Sequence, residues 1–375
     1  MVKILQVLGT LNCGGAETIV VNWLRVLDRS EFHFDFLVYG SEKGYYEEVV
    51  ESLGAHVIHI PEPSLNYLAF YRNVFKIMQA KKYDAVHVHT LYNGGFALRA
   101  AKKCGIKVRI SHSHTTQNRE TEATNPILQI YERIMKSWIL KYSTHYVACG
   151  LQAGNFLYGD TFFSAKGTVL YNGIVPELFH YDPRIRDEQR KTLQIGSDDL
   201  VIGHVGRFTK VKNHSFLIDI LASLIEIRPN CKLLLIGDGP LRRKIEEKSK
   251  ELGVRDKVIF TGVCSNIVPY LHTMDVVVFP SLFEGIPMAL IEAQSNGLPC
   301  LISDTISNEI KILKSSELIS LNKGAQYWRD TLLRLANCDR NSEAVELVAD
   351  SPFNLYNSIE ELKSIYRESI SEVCK

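Results

Sequence analysis

Leu200-Val201-Ile202-Gly203-His204-Val205-Gly206-Arg207-Phe208-Thr209-Lys210-Val211-Lys212-Asn213 is an apolar run that stops at a glycine, passes through a basic loop and leads into a helical pattern. Residues 200–205 read as a strand. Beyond the loop, Phe216, Leu217, Ile220, Leu221, Leu224 and Ile225 recur at the three- and four-residue spacing of a core-facing helix. The next apolar run, 232–236, reads as a second strand, so the unit is strand, helix, strand, the signature of a parallel sheet. In the loop, Arg207 offers a bidentate fork and Lys212 a compact charge at a helix start, where the partial positive charge also favours a diphosphate. A solvated basic loop is the other reading of the same residues.

The rhythm extends in both directions. Downstream, residues 258–260, 276–279 and 300–302 read as strands; upstream, residues 3–8, 34–39, 56–60, 85–89, 108–111 and 145–148 do so. Helical patterns over 18–27, 70–80 and 95–103 separate the upstream runs. A chain of 375 residues exceeds what one core organises, so two domains of the same α/β class are expected, with a cleft between them. The joint is placed at Tyr171-Asn172-Gly173-Ile174-Val175-Pro176 and the polar stretch from Asp182-Pro183 to Gln189, giving domains 1–175 and 183–355. No internal repeat or low-complexity tract is visible.

Composition narrows the function. A net charge of +1 supplies no basic footprint for nucleic acid. The eight cysteines, at 13, 104, 149, 231, 264, 300, 338 and 374, form no Cys-x-x-Cys pair, so free thiols in a reducing cytoplasm are expected. Gln6 and Gly9 interrupt the first apolar run before it could serve as a signal peptide, and no run approaches the roughly 18 apolar residues of a membrane span.

Four further groups of residues could carry chemistry. Gly14-Gly15-Ala16-Glu17 opens a helix after the first strand, where glycines let a ligand approach backbone amides; a plain turn explains the pair equally well. Ser111-His112-Ser113-His114-Thr115-Thr116 lies at a strand's carboxyl end, where open α/β sheets bind ligands, and alternation points His112 and His114 to one side; a satisfied structural histidine is the other reading. Ile236-Gly237-Asp238-Gly239-Pro240 is a glycine turn whose need is conformational or functional. In Pro280-Ser281-Leu282-Phe283-Glu284-Gly285-Ile286-Pro287-Met288-Ala289-Leu290-Ile291-Glu292-Ala293-Gln294, Pro287 suits a first helical position and predicts a helix over 287–296. Glu284 then stands in the preceding loop beside the amides of Gly285 and Ile286, an acceptor-donor surface for sugar hydroxyls and phosphate.

Together these motifs resemble a retaining glycosyltransferase of family 4 with the GT-B architecture, that is, two Rossmann-like, doubly wound parallel-sheet domains facing across a cleft. The likeness rests on Gly14-Gly15-Ala16-Glu17, Asn172-Gly173-Ile174, Gly206-Arg207 with Lys212-Asn213, Gly237-Asp238-Gly239-Pro240, and Glu284 with Glu292 eight positions on, in that order. The resemblance implies an acceptor-binding first domain, a donor-binding second domain and a last segment, 356–375, returning to the first. It implies that Arg207, Lys212 and Gly15 hold the diphosphate of a nucleotide-sugar donor, expected to be a UDP-sugar, that Glu284, Gly285, Ile286 and Pro287 hold the sugar, and that Glu292 holds the ribose. His114, Glu284, Arg207 and Lys212 would form the catalytic set, with His112, Gly14 and Glu17 in support; His112 remains an alternative to His114. No metal and no separate cofactor are expected, since the nucleotide sugar is a substrate.

The pattern looks most like bacterial enzymes of exopolysaccharide, capsule or O-antigen assembly, whose acceptor is a saccharide, often on a polyprenyl diphosphate at the inner membrane face. A cytoplasmic protein with peripheral membrane contact is then expected. The segment 126–142, apolar at 127, 130, 131, 134 and 138, fits either a core helix or a helix lying on a membrane surface. One departure from the family is the lack of a glycine-rich turn before Ser315, where Asn308-Glu309 stands instead. A GT-B nucleotide-sugar epimerase and a noncatalytic partner of another transferase are the competing readings.

Overall fold

The computed structural model describes residues 1–12, 14–62, 66–115, 126–264 and 266–371. Two compact units divide the chain, Met1–Gly173 with Leu355–Lys375, and Ile174–Asn354.

The first unit holds strands β1 (Val2–Val7), β2 (Phe32–Tyr39), β3 (His56–Ile60), β4 (Ala85–Val88), β5 (Val108–Ser113), β6 (His145–Ala148) and β7 (Gly167–Val169). They form one parallel sheet in the order β3-β2-β1-β4-β5-β6-β7. Every residue of β4 and β5 is buried, as expected where helices cover both faces of a parallel sheet. Leu5, Val7, Val86, Val88, Phe70, Val74 and Ile139 belong to the core on one face. The helix Leu355–Ser371 also belongs to this unit, with Ile359, Leu362 and Tyr366 buried. Arg367 on that helix grips Glu31 through two hydrogen bonds of 2.6 and 2.8 Å.

In the second unit, β8 (Leu200–Val205), β9 (Cys231–Ile236), β10 (Val258–Gly262), β11 (Val276–Phe279), β12 (Cys300–Ser303) and β13 (Glu317–Ile319) make a parallel sheet ordered β10-β9-β8-β11-β12-β13. The apolar stripe read from the sequence lies on the helix His214–Ile225, where Leu217, Ile220, Leu221 and Leu224 are buried. Phe216 and Ile225 are only partly buried against the same core.

Three features differ from the sequence reading. β7 and β13 have three residues each, too short to display a period. The polar stretch after the joint is not a linker but the helix Pro183–Thr192, begun by Asp182, whose carboxylate accepts from the Arg184 amide at 2.8 Å. Its charges are used: Arg186 donates to the carbonyls of His272, Thr273 and Met274 and to Asp275, and Arg190 to that of Thr273.

The described cysteines, Cys104, Cys149, Cys231, Cys264, Cys300 and Cys338, are free thiols. Cys13, Cys374 and Thr116 lie outside the described residues. Among the described residues, no helix is long and apolar enough to cross a membrane.

Candidate functional site

The strand order of the second sheet reverses between β8 and β11, which is where open α/β sheets place a ligand beyond their carboxyl ends. The loops that leave these two strands are tied to each other. Leu282 donates its amide to the Val211 carbonyl at 2.8 Å, and the Asn213 side chain donates to the Pro280 carbonyl at 3.2 Å. Asn213 takes the left-handed conformation, φ +52°, that an asparagine tolerates better than most residues. This backbone brings Lys212 Nζ to 2.6 Å from Glu284 Oε1 and 4.6 Å from the centre of the Phe279 ring. Both side chains of the pair are largely sheltered, at 18% and 16% exposure, so their attraction is screened less than that of a surface pair.

The β9 loop supports the basic loop from the other side. Gly206 donates to the Ile236 carbonyl at 2.9 Å, Phe208 to that of Asp238 at 3.0 Å, and Leu241 to that of Phe208 at 3.0 Å. A Cβ on Gly237, φ +130°, would stand 2.2 Å from the Gly206 carbonyl oxygen, and one on Gly239, φ +158°, 2.8 Å from the Phe208 backbone. The two glycines are therefore required by conformation and by close approach together. Phe208 in turn stacks on His214, ring centres 4.0 Å apart, at the start of the following helix. The result is a fixed loop that leaves Arg207 exposed, its guanidinium without a hydrogen bond or ion pair among the described residues.

The helix after Glu284 runs Met288–Ser295, one residue shorter at each end than predicted. Pro287 is its extended N-cap, φ −76° and ψ 111°, rather than its first helical residue. Ile286 and Met288 are buried, which anchors the Glu284-Gly285 segment to the core. Glu292 is half-buried, and loss of solvent pushes its carboxyl up to about 7. In place of a glycine-rich turn, the buried Gln294 side chain holds the 310–313 loop: its oxygen accepts from the Ile312 and Leu313 amides, and its nitrogen donates to the Ile310 carbonyl.

In the first unit, Gly14 is the extended N-cap of the helix Gly15–Val26, and Gly15 is exposed. A Cβ on Gly15 would meet nothing within 4 Å, so no packing within the protein demands glycine there. Burial raises the Glu17 carboxyl above the usual carboxylate range, and Thr10 donates to it at 3.4 Å.

His112 and His114 lie on one side of β5 and its extension, ring centres 4.0 Å apart and planes 22° from parallel. The sequence reading missed what they join. His87 on β4 and His89 just beyond its end, the same alternation, contact them: His87 Nε2 lies 3.1 Å from His112 Nδ1, and His89 Nδ1 lies 2.8 Å from His114 Nε2. Gln6 from β1 and Tyr366 from the last helix complete the group, while Trp23 stacks on His87 and His112. The signal for His87 and His89 was present in Val86-His87-Val88-His89; Gln6 and Tyr366, 360 residues apart, left none. His87, His89 and His112 also offer nitrogen atoms within 4.8 Å of one another, a spacing open to a metal ion. Both nitrogens of His87 and of His89 are already hydrogen-bonded, so a metal would have to displace those bonds.

The helix Pro126–Tyr142 packs one side into the first unit's core. Met135 and Ile139 are buried, and Tyr131 stacks on Tyr67, while Ile127, Ile130 and Ile134 are exposed.

Two family models match the chain: Glycosyltransferase Family 4 over residues 13–178 and Glycosyl transferases group 1 over residues 185–343. Among named relatives, EpsF of Bacillus subtilis, which carries a glycosyltransferase name, is 37% identical over 98% of this chain and 97% of its own. The capsular polysaccharide biosynthesis glycosyltransferase CapH of Staphylococcus aureus is 25% identical over 98% and 99%. An Escherichia coli enzyme named UDP-Gal:alpha-D-GlcNAc-diphosphoundecaprenol alpha-1,3-galactosyltransferase is 23% identical over 80% and 79%. The crystal structure of Anabaena Alr3699/HepE with UDP and glucose matches 98% of this chain and all of its own at a TM-score of 0.80 and 18% identity. That likeness establishes the GT-B fold.

Proposed function

The chain belongs to the glycosyltransferases of family 4 and group 1, and from that membership we propose that it moves a sugar from a UDP-sugar to a saccharide acceptor, with retention, in exopolysaccharide or capsule assembly. The observation that carries this reading is the Lys212–Glu284 pair at the switch point of the second sheet. A cation for phosphate and a carboxylate for sugar hydroxyls stand together there. Without a donor the two charges neutralise each other; a bound diphosphate would take over Lys212 and release Glu284 to the sugar.

In this reading Arg207 and Lys212 stabilise the charge that develops on the departing UDP, the role a metal ion fills in other transferases. Glu284, with Gly285, Ile286 and Pro287, orients the sugar, Glu292 accepts from the ribose hydroxyls, and Gly15 keeps the diphosphate role that the family resemblance gives it. His114 serves the reacting sugar. The bond from the anomeric carbon to phosphate breaks, the acceptor oxygen bonds to the same face, and its proton leaves with the diphosphate. No metal or further cofactor takes part. The UDP-bound HepE structure supports the donor class. The name of the Escherichia coli relative supports a sugar on a polyprenyl diphosphate as the acceptor, which would place the protein at the cytoplasmic face of the membrane.

The direct check is a donor screen that follows UDP release in the presence of membrane lipid extract, with the products analysed for a new glycosidic bond. Interconversion of the nucleotide sugar without an acceptor would assign an epimerase instead.

A further inference from the structure

A neutral imidazole carries one N–H and one bare nitrogen, so a chain of hydrogen bonds through histidines has a direction. Six side chains of the first unit form such a chain. The Gln6 amide nitrogen donates to the Tyr366 hydroxyl at 2.9 Å, and that hydroxyl lies 2.8 Å from His87 Nδ1. The hydroxyl's own proton has no other acceptor among the described residues, so it goes to His87 Nδ1, and the His87 proton sits on Nε2. His87 Nε2 then donates to His112 Nδ1 across 3.1 Å, which leaves the His112 proton on Nε2.

The second arm starts from the same amide. The Gln6 oxygen accepts from His89 Nε2 at 3.0 Å, so His89 Nδ1 is bare and accepts from His114 Nε2 at 2.8 Å. His114 Nδ1 is left with a lone pair. The arms thus end on unlike atoms, an N–H at His112 Nε2 and a lone pair at His114 Nδ1. Both atoms are buried, and neither has a hydrogen-bond partner among the described residues. The two rings lie stacked on each other, and Trp23 covers His87 and His112 at ring-centre distances of 5.6 and 5.8 Å. Burial holds His87, His89 and His112 well below the usual histidine range and His114 down to about 3, so all four rings are neutral at physiological pH.

We propose that Gln6 and Tyr366 are positioning residues that fix all four imidazoles as the Nε2–H tautomer, so that His114 presents an acceptor and His112 a donor to the hydroxyls of a saccharide. A hydroxyl both gives and takes a hydrogen bond, so saccharide hydroxyls match both kinds of orphaned atom. A fully ionised phosphate can use only the N–H, and an ammonium only the lone pair. The choice of a saccharide rests on the proposed glycosyl transfer; the tautomer order does not. Gln6 is the one asymmetric member: its amide turned end for end would move all four protons to Nδ1 and exchange the roles of His112 and His114.

The test is a long-range proton–nitrogen correlation spectrum of the full chain labelled at histidine nitrogen, with peaks assigned through His112→Gln and His114→Gln. At pH 7 the four rings should show the Nε2–H pattern, and Tyr366→Phe should turn His87 and His112 into tautomer mixtures. In kinetics, Tyr366→Phe and Gln6→Leu should each lower kcat for transfer roughly tenfold while KM for the donor stays unchanged. An Nδ1–H pattern or a mixture in the unaltered protein overturns the proposal, as does full kcat in both variants. If the unaltered protein transfers sugar to no acceptor, the functional reading fails while the spectrum still decides the tautomers.

Discussion

Lys212 on the loop after β8 and Glu284 on the loop after β11 meet at 2.6 Å, each held by a backbone bonded to the other's loop. Neither loop could set this distance alone, and the pairing gives the two residues separable roles. Glu284→Gln should retain UDP affinity or improve it, because Lys212 loses a competitor for phosphate. The same change should lower sugar transfer by on the order of a hundredfold, since the sugar loses a charged hydrogen-bond acceptor. Lys212→Ala should weaken UDP binding and turnover together. Titration calorimetry with UDP, beside turnover rates, separates the two patterns.

Glu292 predicts a pH dependence. Burial pushes its carboxyl in the folded protein up to about 7 from an ordinary value of 4.5. If Glu292 accepts from the ribose hydroxyls as proposed, binding needs the ionised form, so UDP affinity should rise between pH 6 and pH 8, and binding near pH 6.5 should release close to one proton into the buffer. Glu292→Gln should flatten this profile. The sign for stability is opposite: between 4.5 and 7 the folded state holds a proton that the unfolded state has lost, so the empty protein loses stability as pH rises through that window. Glu292→Gln should accordingly raise the melting temperature at pH 8 by a few degrees, about 2–4 °C per kcal/mol relieved, and change it less at pH 5. Calorimetry at the two pH values checks the difference.

The glycines of the two units should behave differently. Gly237→Ala places a Cβ 2.2 Å from the Gly206 oxygen at positive φ, which should cost on the order of 2–4 kcal/mol and weaken UDP binding by displacing the Arg207 loop. Gly15→Ala meets open space, so its melting temperature should stay within about a degree of the unaltered protein. If Gly15 approaches the donor diphosphate, that variant should still lose roughly tenfold in turnover. Thermal melts paired with activity distinguish the two cases.

If Arg207 and Lys212 supply the charge that would otherwise come from an ion, as proposed, removal of divalent metal should leave transfer unchanged. Dialysis against a chelator, followed by assay with and without added magnesium or manganese, measures this. A loss restored by metal would direct attention to His87, His89 and His112.

The α/β rhythm was legible because buried parallel strands read as β-branched runs, and the His214–Ile225 stripe because four of its apolar residues face one core. Short strands such as β13 carried no period, and the Pro183–Thr192 helix was hidden by arginines whose partners are backbone carbonyls distant in sequence. The Glu284 loop announced itself through Gly285 and Pro287. Its partner Lys212 lies 72 positions earlier, and only the sheet order, which sets β8 beside β11, brings the two together. The His112 and His114 pair was visible, whereas the direction imposed on it by Gln6 and Tyr366 depends on residues from opposite ends of the chain.

Sugar transfer from a UDP-sugar at the Glu284 loop is decided by UDP release and product formation, compared between the unaltered protein and Glu284→Ala over a panel of UDP-sugars with lipid-linked saccharide acceptors. UDP release should be coupled to a new glycosidic bond, depend on both donor and acceptor, and be lost in the variant. Equal product formation by Glu284→Ala, or nucleotide-sugar interconversion with no acceptor present, would contradict it.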